Sequence, residues 1–392
     1  MEHINIEKKI SIFGSTGSIG QSTVEILTVS NNYNVIALTG GKNIKKLADQ
    51  ARRLNAKIVV TSVDSLYQEL KELMAGTKAK VLAGKAGIME AADLHADIFV
   101  SAIIGFSGLA PSIRCLKHGS VLALANKESL VVAGSLLKKE SKRHGAKIIP
   151  IDSEHSGIFQ LLSGNDLKDI EKITITASGG SFRAWPPSKL ETVTLEQAGK
   201  HPNWNMGLRI TIDSNSMFNK AMELIETKEL FDVNHEKIDV LIHPESVVHA
   251  MIGFSDGGIL AHLSKCDMKH AISYALNWPN RASSGIGLLD LSEISTLNFE
   301  KLSEAKFPAL RIAREVLKNG GLSGVVFNAS KEVALDRFIL NNIKFNEMSH
   351  IVERTLDNIE RSDGISAMEQ NLEGIIQMNR KAREVARNLT LR

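Results

Sequence analysis

The chain of 392 residues is long enough for two or three domains. Its 43% hydrophobic and 23% charged residues are typical of a globular protein and exclude a largely disordered one. Lys plus Arg number 47 and Asp plus Glu number 44, and the resulting net charge of +3 is too small to indicate a nucleic acid or a membrane surface as a partner. Two cysteines, Cys115 and Cys266, cannot build a disulfide framework or a Cys-x-x-Cys metal site.

Targeting signals are the next feature to consider. Residues 1–9 carry charges of both signs and lead directly into the first apolar run, so the sequence shows no signal peptide. No apolar run approaches the roughly 20 residues that span a bilayer. We therefore expect a cytoplasmic protein without a membrane partner.

Seven short apolar runs follow one another between residues 10 and 151, separated by stretches of helical length. Because the runs are nearly all apolar, they are typical of parallel strands that are buried on both faces. Stretches such as 44–54 and 129–144 are long enough for crossover helices. The pattern predicts a doubly wound α/β domain over residues 1–151, with strands at 10–13, 35–39, 57–60, 80–83, 98–102, 121–125 and 147–151.

Residues 152–278 follow a looser pattern, which predicts a central α+β catalytic domain. Single strands are expected at 172–177, 209–213 and 240–243, and an antiparallel hairpin at 247–254 and 259–264 around the turn-forming sequence Ser-Asp-Gly-Gly. Residues 183–207 contain three prolines and are too long and turn-rich for a tight connector. We predict that they form a mobile functional loop, with a lid around 198–208.

The last third of the chain begins with a stretch rich in Gly and Ser, which predicts a linker over 279–303. From residue 304 the pattern is helical, and Leu310, Ala313, Val316 and Leu317 follow the spacing of one helix face. We predict a C-terminal helical bundle over 304–392.

The first strand is followed by glycines at positions 14, 17 and 20. Glycines let the backbone approach a pyrophosphate, and free amides at a helix N-terminus favour its charge. The spacing departs from the commoner Gly-x-Gly-x-x-Gly, and a tight turn without a ligand is the alternative. The placement after the first strand of an α/β unit favours a dinucleotide site and a Rossmann-like domain.

The end of the second strand bears on the choice of cofactor. It reads Gly-Gly-Lys-Asn at 40–43 and lacks the Asp or Glu that binds the ribose hydroxyls of NAD. Lys42 would attract a 2′-phosphate, so NADPH is the predicted cofactor. The alternative is that Lys42 is a solvated loop lysine.

Polar residues follow the sixth and seventh strands, where α/β sheets bind ligands. They are Asn126-Lys127-Glu128 and Asp152-Ser153-Glu154-His155. On an extended backbone Asp152 and Glu154 point to the same side, and two such charges repel unless a cation or a proton intervenes. Oxygen ligands favour Mg²⁺ or Mn²⁺ over zinc.

A helix predicted over 214–226 can supply a third carboxylate. Its core stripe is Phe218, Ala221, Met222 and Ile225, and its opposite face carries Ser216, Asn219, Lys220 and Glu223. A solvated face is the ordinary alternative. Ser214, Asn219 and Lys220 near the predicted helix start offer the donor types of a phosphate site.

Eight segments, taken together and in order, resemble the 1-deoxy-D-xylulose 5-phosphate reductoisomerase family over nearly the whole chain. They are 14–20 (GSTGSIG), 125–130 (ANKESL), 152–155 (DSEH), 178–180 (SGG), 201–207 (HPNWNMG), 213–223 (Asp-Ser through Asn-Lys to Glu), 243–249 (HPESVVH) and 278–281 (WPNR). The resemblance implies a homodimeric enzyme of isoprenoid precursor synthesis. Its reaction rearranges 1-deoxy-D-xylulose 5-phosphate and reduces the product with NADPH to 2-C-methyl-D-erythritol 4-phosphate.

The resemblance also implies roles for single residues. The implied metal ligands are Asp152, Glu154 and Glu223, and Lys127 is implied to contact the same substrate oxygens. The other implied substrate contacts are Ser153, Glu154, the phosphate contacts Ser178, Ser214, Asn219 and Lys220, and the lid residues His201 and Trp204. The implied cofactor contacts are Thr16, Gly17, Ser18, Ile19, Gly41, Lys42, Asn43, Asn126, Glu128, Gly207 and, near the nicotinamide, Met206.

Three segments depart from the family's usual pattern, at Leu208, at 264–270 and at 328–332. None contains an implied metal ligand. Two other functions stay open on the residues alone. One is an NADP-dependent dehydrogenase without a metal step, which leaves the three carboxylates unrelated, and the other is a regulator that senses a dinucleotide without catalysis.

Overall fold

The computed structural model describes residues 7–30, 32–204 and 206–390, which fold into two compact units. Unit 1 comprises the chain through Ser129, Leu137–Ser156 and Asp267–Gly287. Unit 2 comprises Leu130–Leu136, Gly157–Cys266 and the chain from Leu288 onward.

Unit 1 contains a seven-stranded parallel sheet, as the buried apolar runs predict. Its order is β4-β3-β2-β1-β5-β6-β7, so the direction of winding reverses between β1 and β5. Ligands of such sheets bind beyond the carboxyl ends of the strands at this reversal. The strands are β1 (Lys8–Phe13), β2 (Tyr33–Gly40), β3 (Ile58–Thr61), β4 (Lys80–Ala83), β5 (Ile98–Ser101), β6 (Val121–Leu124) and β7 (Lys147–Pro150).

Unit 2 contains a second, mixed sheet with the order β11-β10-β8-β9-β12. Strands β8 and β9 are parallel, and the other neighbours are antiparallel. The predicted hairpin is confirmed as β10 and β11. The strands are β8 (Ile170–Ala177), β9 (Ile238–Ile242), β10 (Val248–Phe254), β11 (Ile259–Leu263) and β12 (Glu300–Lys301).

The helices connect and cover these sheets. No helix in the described part of the chain combines the length and the apolar composition needed to cross a bilayer. In chain order they are α1 (Ser18–Val29), α2 (Ile44–Arg53), α3 (Tyr67–Leu73), α4 (Gly84–Ala92), α5 (Leu109–Leu116), α6 (Lys127–His144), α7 (Ser153–Leu161), α8 (Leu195–Ala198), α9 (Leu208–Asn215), α10 (Phe218–Phe231), α11 (Lys269–Asn277), α12 (Leu291–Ile294), α13 (Ala309–Asn319), α14 (Ser323–Ile339), α15 (Glu347–Asp363) and α16 (Leu372–Asn388).

The strand predicted at 209–213 is wrong, because these residues lie in helix α9. The helix buries Thr211, Ile212 and Asn215, which share one helical face. The helix predicted over 214–226 is also divided differently. Met217 has a φ of 63°, which interrupts the helix between α9 and α10.

The C-terminal helices share one hydrophobic core with the second sheet. Ile173 on β8, Phe218 on α10 and Phe327 and Phe338 on α14 belong to the same buried cluster. The structure therefore groups the chain differently from the predicted boundaries at 151, 278 and 303. Residues 267–287 lie in unit 1, and the segment predicted as a linker contributes β12, which pairs with β9.

Candidate active site

The glycine-rich turn after β1 has a geometry that only glycine permits at two positions. Gly14 has a φ of +93°, and a Cβ there would lie 2.5 Å from the carbonyl oxygen of Ala102. A Cβ on Gly20 would lie 2.3 Å from the carbonyl oxygen of Gly14. The amides of Gly14 and Ser15 donate to the Thr39 carbonyl at 3.1 and 2.8 Å, which fixes the turn against the end of β2.

Helix α1 begins directly after this turn. Gly17 is its N-cap, and no side chain caps the helix there. The first amides of α1 are therefore available to an anion, and the helix dipole favours a negative charge at this end. Thr16 and Ile19 are half-buried and Ser18 is exposed beside these amides. The turn therefore fits the pyrophosphate of a dinucleotide.

The residues after β2 adjoin the same turn, because a Cβ on Gly40 would lie 3.2 Å from the Thr16 side chain. Lys42 is exposed. Asn43 caps α2, since its Oδ1 accepts from the Lys46 amide at 3.2 Å. This location suits contact with an adenosine 2′-phosphate, while the exposure of Lys42 also leaves the solvated alternative open.

Asn126 follows β6 and is buried. Its Nδ2 donates to the Gly105 carbonyl at 3.0 Å and to Glu128 Oε2 at 3.1 Å, and its Oδ1 accepts from the Ser129 amide at 2.8 Å. The amide group thus fixes the loop at the carboxyl edge of the sheet. A cofactor contact by Asn126 or Glu128 remains a prediction.

Lys127 and Asp152 follow the adjacent strands β6 and β7 and form an ion pair. His155 Nδ1 lies 3.8 Å from Asp152 Oδ2. Burial raises the pKa of Asp152, but Lys127 and His155 outweigh burial and hold the pKa well below its usual range. Asp152 is therefore an ionised carboxylate, as a ligand for a divalent cation must be.

The extended geometry predicted for Asp152 and Glu154 is wrong. Strand β7 ends at Pro150, and the Asp152 carbonyl accepts from the Ser156 amide at 2.7 Å at the start of α7. An oxygen of Asp152 and an oxygen of Glu154 nevertheless lie within 4.8 Å of each other. Ser153 Oγ donates to Glu154 Oε2 at 2.6 Å, which orients the second carboxylate.

Glu223 lies on α10 in unit 2 and is 1% exposed. Its two oxygens accept hydrogen bonds from Asn219 Nδ2 and Lys220 Nζ. The polar face of α10 is therefore largely buried. A solvated face, which was the alternative, is not what the structure shows. The two donors of its own helix therefore hold the buried Glu223 carboxylate in place.

Ser178 and His201 are in contact in unit 2, with Ser178 Oγ 3.0 Å from His201 Nε2. His201 Nδ1 accepts from the amides of Asn203 and Trp204 at 3.2 and 3.0 Å. Since Nδ1 is the acceptor, the proton is on Nε2 and is donated to Ser178. Burial lowers the pKa of His201 to about 4, so the ring is neutral near pH 7.

Ser214 lies in the last turn of α9 and not at a helix start as predicted. The first turn of α10 carries only Asn219 and Lys220 of the predicted donor cluster. Trp204 is half-buried, with its ring centroid 6.3 Å from that of His249. Met206 is also half-buried, and Gly207 is the N-cap of α9.

Each unit thus brings part of the predicted set together. Unit 1 holds the predicted cofactor residues up to Glu128 with Lys127, Asp152, Ser153 and Glu154. Unit 2 holds Glu223, the predicted phosphate contacts and the predicted lid residues, including Met206 and Gly207.

Sequence reasoning gave no role to three buried residues beside these sites. His155 Nδ1 lies 3.8 Å from Asp152 Oδ2. Lys331 Nζ lies 2.8 Å from Asp213 Oδ2. Asn215, which follows Ser214, bonds to two other segments. The polar run 213–216, which follows the alternating apolar and polar residues of 208–212, is the one available signal for Asn215.

Comparison with known proteins gives a consistent result along the chain. The family model for 1-deoxy-D-xylulose 5-phosphate reductoisomerase matches residues 10–134. Two models for the C-terminal domain of the same enzyme match residues 148–231 and 263–385. A 1-deoxy-D-xylulose 5-phosphate reductoisomerase from Jannaschia sp. is 51% identical, with 97% of each chain covered. One from Ruegeria pomeroyi is 50% identical, with 96% of each chain covered.

Solved structures give the same family. The enzyme from Zymomonas mobilis in complex with NADPH has a TM-score of 0.91 and 40% identity, covering 97% of this chain and 98% of that one. A DOX-P reductoisomerase in complex with NADPH, fosmidomycin and magnesium has a TM-score of 0.91 and 36% identity, covering 97% of each chain. The chain belongs to the 1-deoxy-D-xylulose 5-phosphate reductoisomerase family.

Proposed function

We propose that this chain converts 1-deoxy-D-xylulose 5-phosphate to 2-C-methyl-D-erythritol 4-phosphate with NADPH and a divalent cation. The observation that carries the proposal is the 51% identity to a family member over 97% of both chains. The dinucleotide-type turn and the acidic residues at the carboxyl edge of the parallel sheet give it a chemical basis. The product is a precursor of isoprenoids.

NADPH would be held by unit 1. The backbone amides at Ser18 and Ile19 would bind its pyrophosphate, and Thr16 and Gly17 would contact it from the turn. Gly41, Lys42 and Asn43 would bind the adenosine end with its 2′-phosphate. Asn126 and Glu128, at the end of β6, would border the cofactor on the far side of the sheet reversal. From unit 2, Met206 and Gly207 would contact the nicotinamide end.

Asp152, Glu154 and Glu223 would hold the cation. Three carboxylates are the donor set expected for Mg²⁺ or Mn²⁺. When bound, the cation supplies Lewis acidity toward the carbonyl and hydroxyl oxygens of the substrate. Lys127 keeps Asp152 ionised and would donate to the same substrate oxygens, while Ser153 would contact the substrate and orient Glu154.

The phosphate group of the substrate would be bound in unit 2. Ser178 and Ser214 offer hydroxyl donors, Asn219 an amide and Lys220 an ammonium group, and such donors suit a phosphate. His201 and Trp204 would cover the substrate and exclude water from a reactive intermediate. The His201 ring is neutral and donates its Nε2–H to Ser178, so it would cover the substrate as an uncharged ring rather than as a cation.

We also propose that the protein is a cytoplasmic homodimer. Strand β11 lies at the edge of the second sheet, and its residues Ile259 and Leu260 are 68% and 46% exposed. An edge strand with exposed apolar side chains is suited to pairing with another chain. Size-exclusion chromatography with light scattering would contradict the dimer by giving the mass of a single chain.

The decisive assay follows NADPH absorbance after mixing the purified protein with 1-deoxy-D-xylulose 5-phosphate and Mg²⁺. We expect oxidation that stops with a chelator and resumes with Mg²⁺ or Mn²⁺. Full activity in chelator would indicate a dehydrogenase without a metal step. NADPH binding without any oxidation would indicate a dinucleotide sensor, and either result would overturn the proposal.

A further inference from the structure

Asn215 joins three segments of unit 2 through one side chain. The residue is fully buried, with 0% exposure. Its Oδ1 accepts from the Ser181 amide at 2.7 Å, and its Nδ2 donates to the carbonyls of Ala198 and Lys200 at 2.9 and 2.8 Å. Helix α9 is thus tied both to the loop after β8 and to the segment that ends α8.

The two tied segments are also bonded to each other. Ser181 Oγ donates to the Lys200 carbonyl at 2.7 Å, which is the same carbonyl that Asn215 Nδ2 reaches. Gly180 has a φ of +65°, and a Cβ there would lie 2.6 Å from Asn215 Oδ1. The loop therefore approaches the Asn215 amide as closely as a glycine allows.

These segments carry two of the proposed phosphate contacts, Ser178 and Ser214, and the proposed lid residue His201. Ser178 Oγ accepts from the Gly180 amide at 3.1 Å and lies 3.0 Å from His201 Nε2. His201 follows Lys200, and Ser214 precedes Asn215. The hydroxyls of Ser178 and Ser214 and the imidazole of His201 therefore lie on segments that the buried Asn215 side chain holds by hydrogen bonds, or next to them in the chain.

We propose that Asn215 is a positioning residue for the substrate's phosphate group, a role that rests on the proposed function. It acts through Ser178, Ser214 and His201, and it holds their segments at fixed separations before the substrate arrives. A bound phosphate needs these donors within a few tenths of an ångström of their final places, so their prior alignment contributes to affinity.

The substitution Asn215→Asp keeps the hydrogen bond that Asn215 accepts and removes the two that it donates. Asp keeps the size of the side chain and can still accept from the Ser181 amide. It cannot donate to the carbonyls of Ala198 and Lys200, and its oxygen would face them instead. Asn371→Asp is the matched control, because Asn371 only caps α16 through its Oδ1, on the exposed surface of the same unit.

Two measurements test the proposal: steady-state kinetics, and calorimetric titration with inorganic phosphate. For Asn215→Asp we expect kcat/KM for 1-deoxy-D-xylulose 5-phosphate to fall roughly 10- to 100-fold, mainly through KM. The KM for NADPH should stay within about twofold, because the glycine-rich turn lies in unit 1. Affinity for inorganic phosphate should fall at least about tenfold, while Asn371→Asp should match the parent in every measurement.

If Asn215→Asp fails to fold, Ser181→Ala tests whether the alignment of these segments affects substrate binding. It removes only the hydrogen bond from Ser181 Oγ to the Lys200 carbonyl. It should raise the substrate KM by roughly two- to tenfold without changing the KM for NADPH.

A substrate KM and phosphate affinity within about twofold of Asn371→Asp would make Asn215 purely structural and overturn the inference, even if the Tm fell. No binding of inorganic phosphate by the parent chain would overturn it as well. Failure of the parent chain to oxidise NADPH would instead count against the proposed function, and the calorimetric titration would still test Asn215.

Discussion

Replacing Lys331 by Met is expected to destabilise unit 2 strongly, because it leaves a buried carboxylate without its cation. Lys331 Nζ lies 2.8 Å from Asp213 Oδ2, and the two side chains are only 3% and 13% exposed. Removing one partner of such a pair costs about 3–5 kcal/mol. In domains of about 150–250 residues each kcal/mol lowers the Tm by roughly 2–4 °C, so a fall of roughly 6–20 °C is expected.

The structure offers a matched control on the same two helices. Arg209 on α9 and Asp336 on α14 also form an ion pair, at 2.6 Å, but their side chains are 45% and 50% exposed. A solvent-exposed pair contributes only about 0.2–1 kcal/mol. Arg209→Met should therefore lower the Tm by at most about 4 °C, although it breaks a contact of similar length between the same helices.

Calorimetric and urea unfolding of the two variants, and of Lys331→Met combined with Asp213→Asn, would test this reasoning. The double variant removes both charges, so it should recover at least half of the stability that Lys331→Met loses. Equal losses in Lys331→Met and Arg209→Met would refute the claim that burial decides the energy. A double variant no more stable than Lys331→Met would refute the assignment of the loss to the stranded Asp213 charge.

Glu223→Gln should reduce Mg²⁺-supported turnover roughly 100-fold or more, because it removes a ligand charge. The affinity for NADPH, measured by fluorescence titration, should stay unchanged. A large loss of NADPH binding would contradict the placement of the cofactor in unit 1. Lys42→Glu should shift preference from NADPH toward NADH in kcat/KM, and an unchanged preference would identify Lys42 as a solvated loop residue. The pKa of His201, about 4 against an ordinary 6.5, means that the folded state resists protonation of the ring. Below about pH 6.5 the unfolded state takes up a proton while the folded ring stays neutral. Stability should therefore be unaffected above about pH 6.5 and fall from there to about pH 4, where the folded ring is protonated as well. Imidazole NMR showing a pKa near 6.5 in the folded protein would contradict this.

The sheet of unit 1 could be predicted from the sequence almost to the residue. All seven strands lie within about two residues of the apolar runs, because strands buried on both faces are mostly apolar along their length. Strand order could not be predicted this way. It depends on which apolar faces meet, and every run offers a similar face.

Helix α9 shows where a short pattern fails. Leu208, Ile210 and Ile212 alternate with polar residues, and this alternation favours a strand. The observed helix instead buries Thr211, Ile212 and Asn215. Tertiary contacts of Asn215 and Asp213 favour the helix, and neither contact can be inferred from a window of five residues.

For the candidate site, the sequence predicts the chemistry of the residues better than their geometry. The residue types of Asp152, Glu154 and Glu223 indicate hard-cation chemistry wherever they lie in a fold. Their local geometry was harder to predict, since Asp152 precedes a helix rather than continuing a strand. His155 and Lys331 have roles that depend on contacts with residues elsewhere in the chain, and their types alone do not indicate them.

Helix α9 has only eight residues, a length at which an isolated helix is barely stable in water. The position of Ser214 must therefore come from the residues on either side of it. Asp213 is held by Lys331 from α14, and Asn215 is held by the loop after β8 and the end of α8. A buried ion pair is often no more stabilising than apolar side chains of the same size. Its advantage at this place is direction, because charges and amides fix distance and orientation to a degree that apolar packing of so short a helix does not.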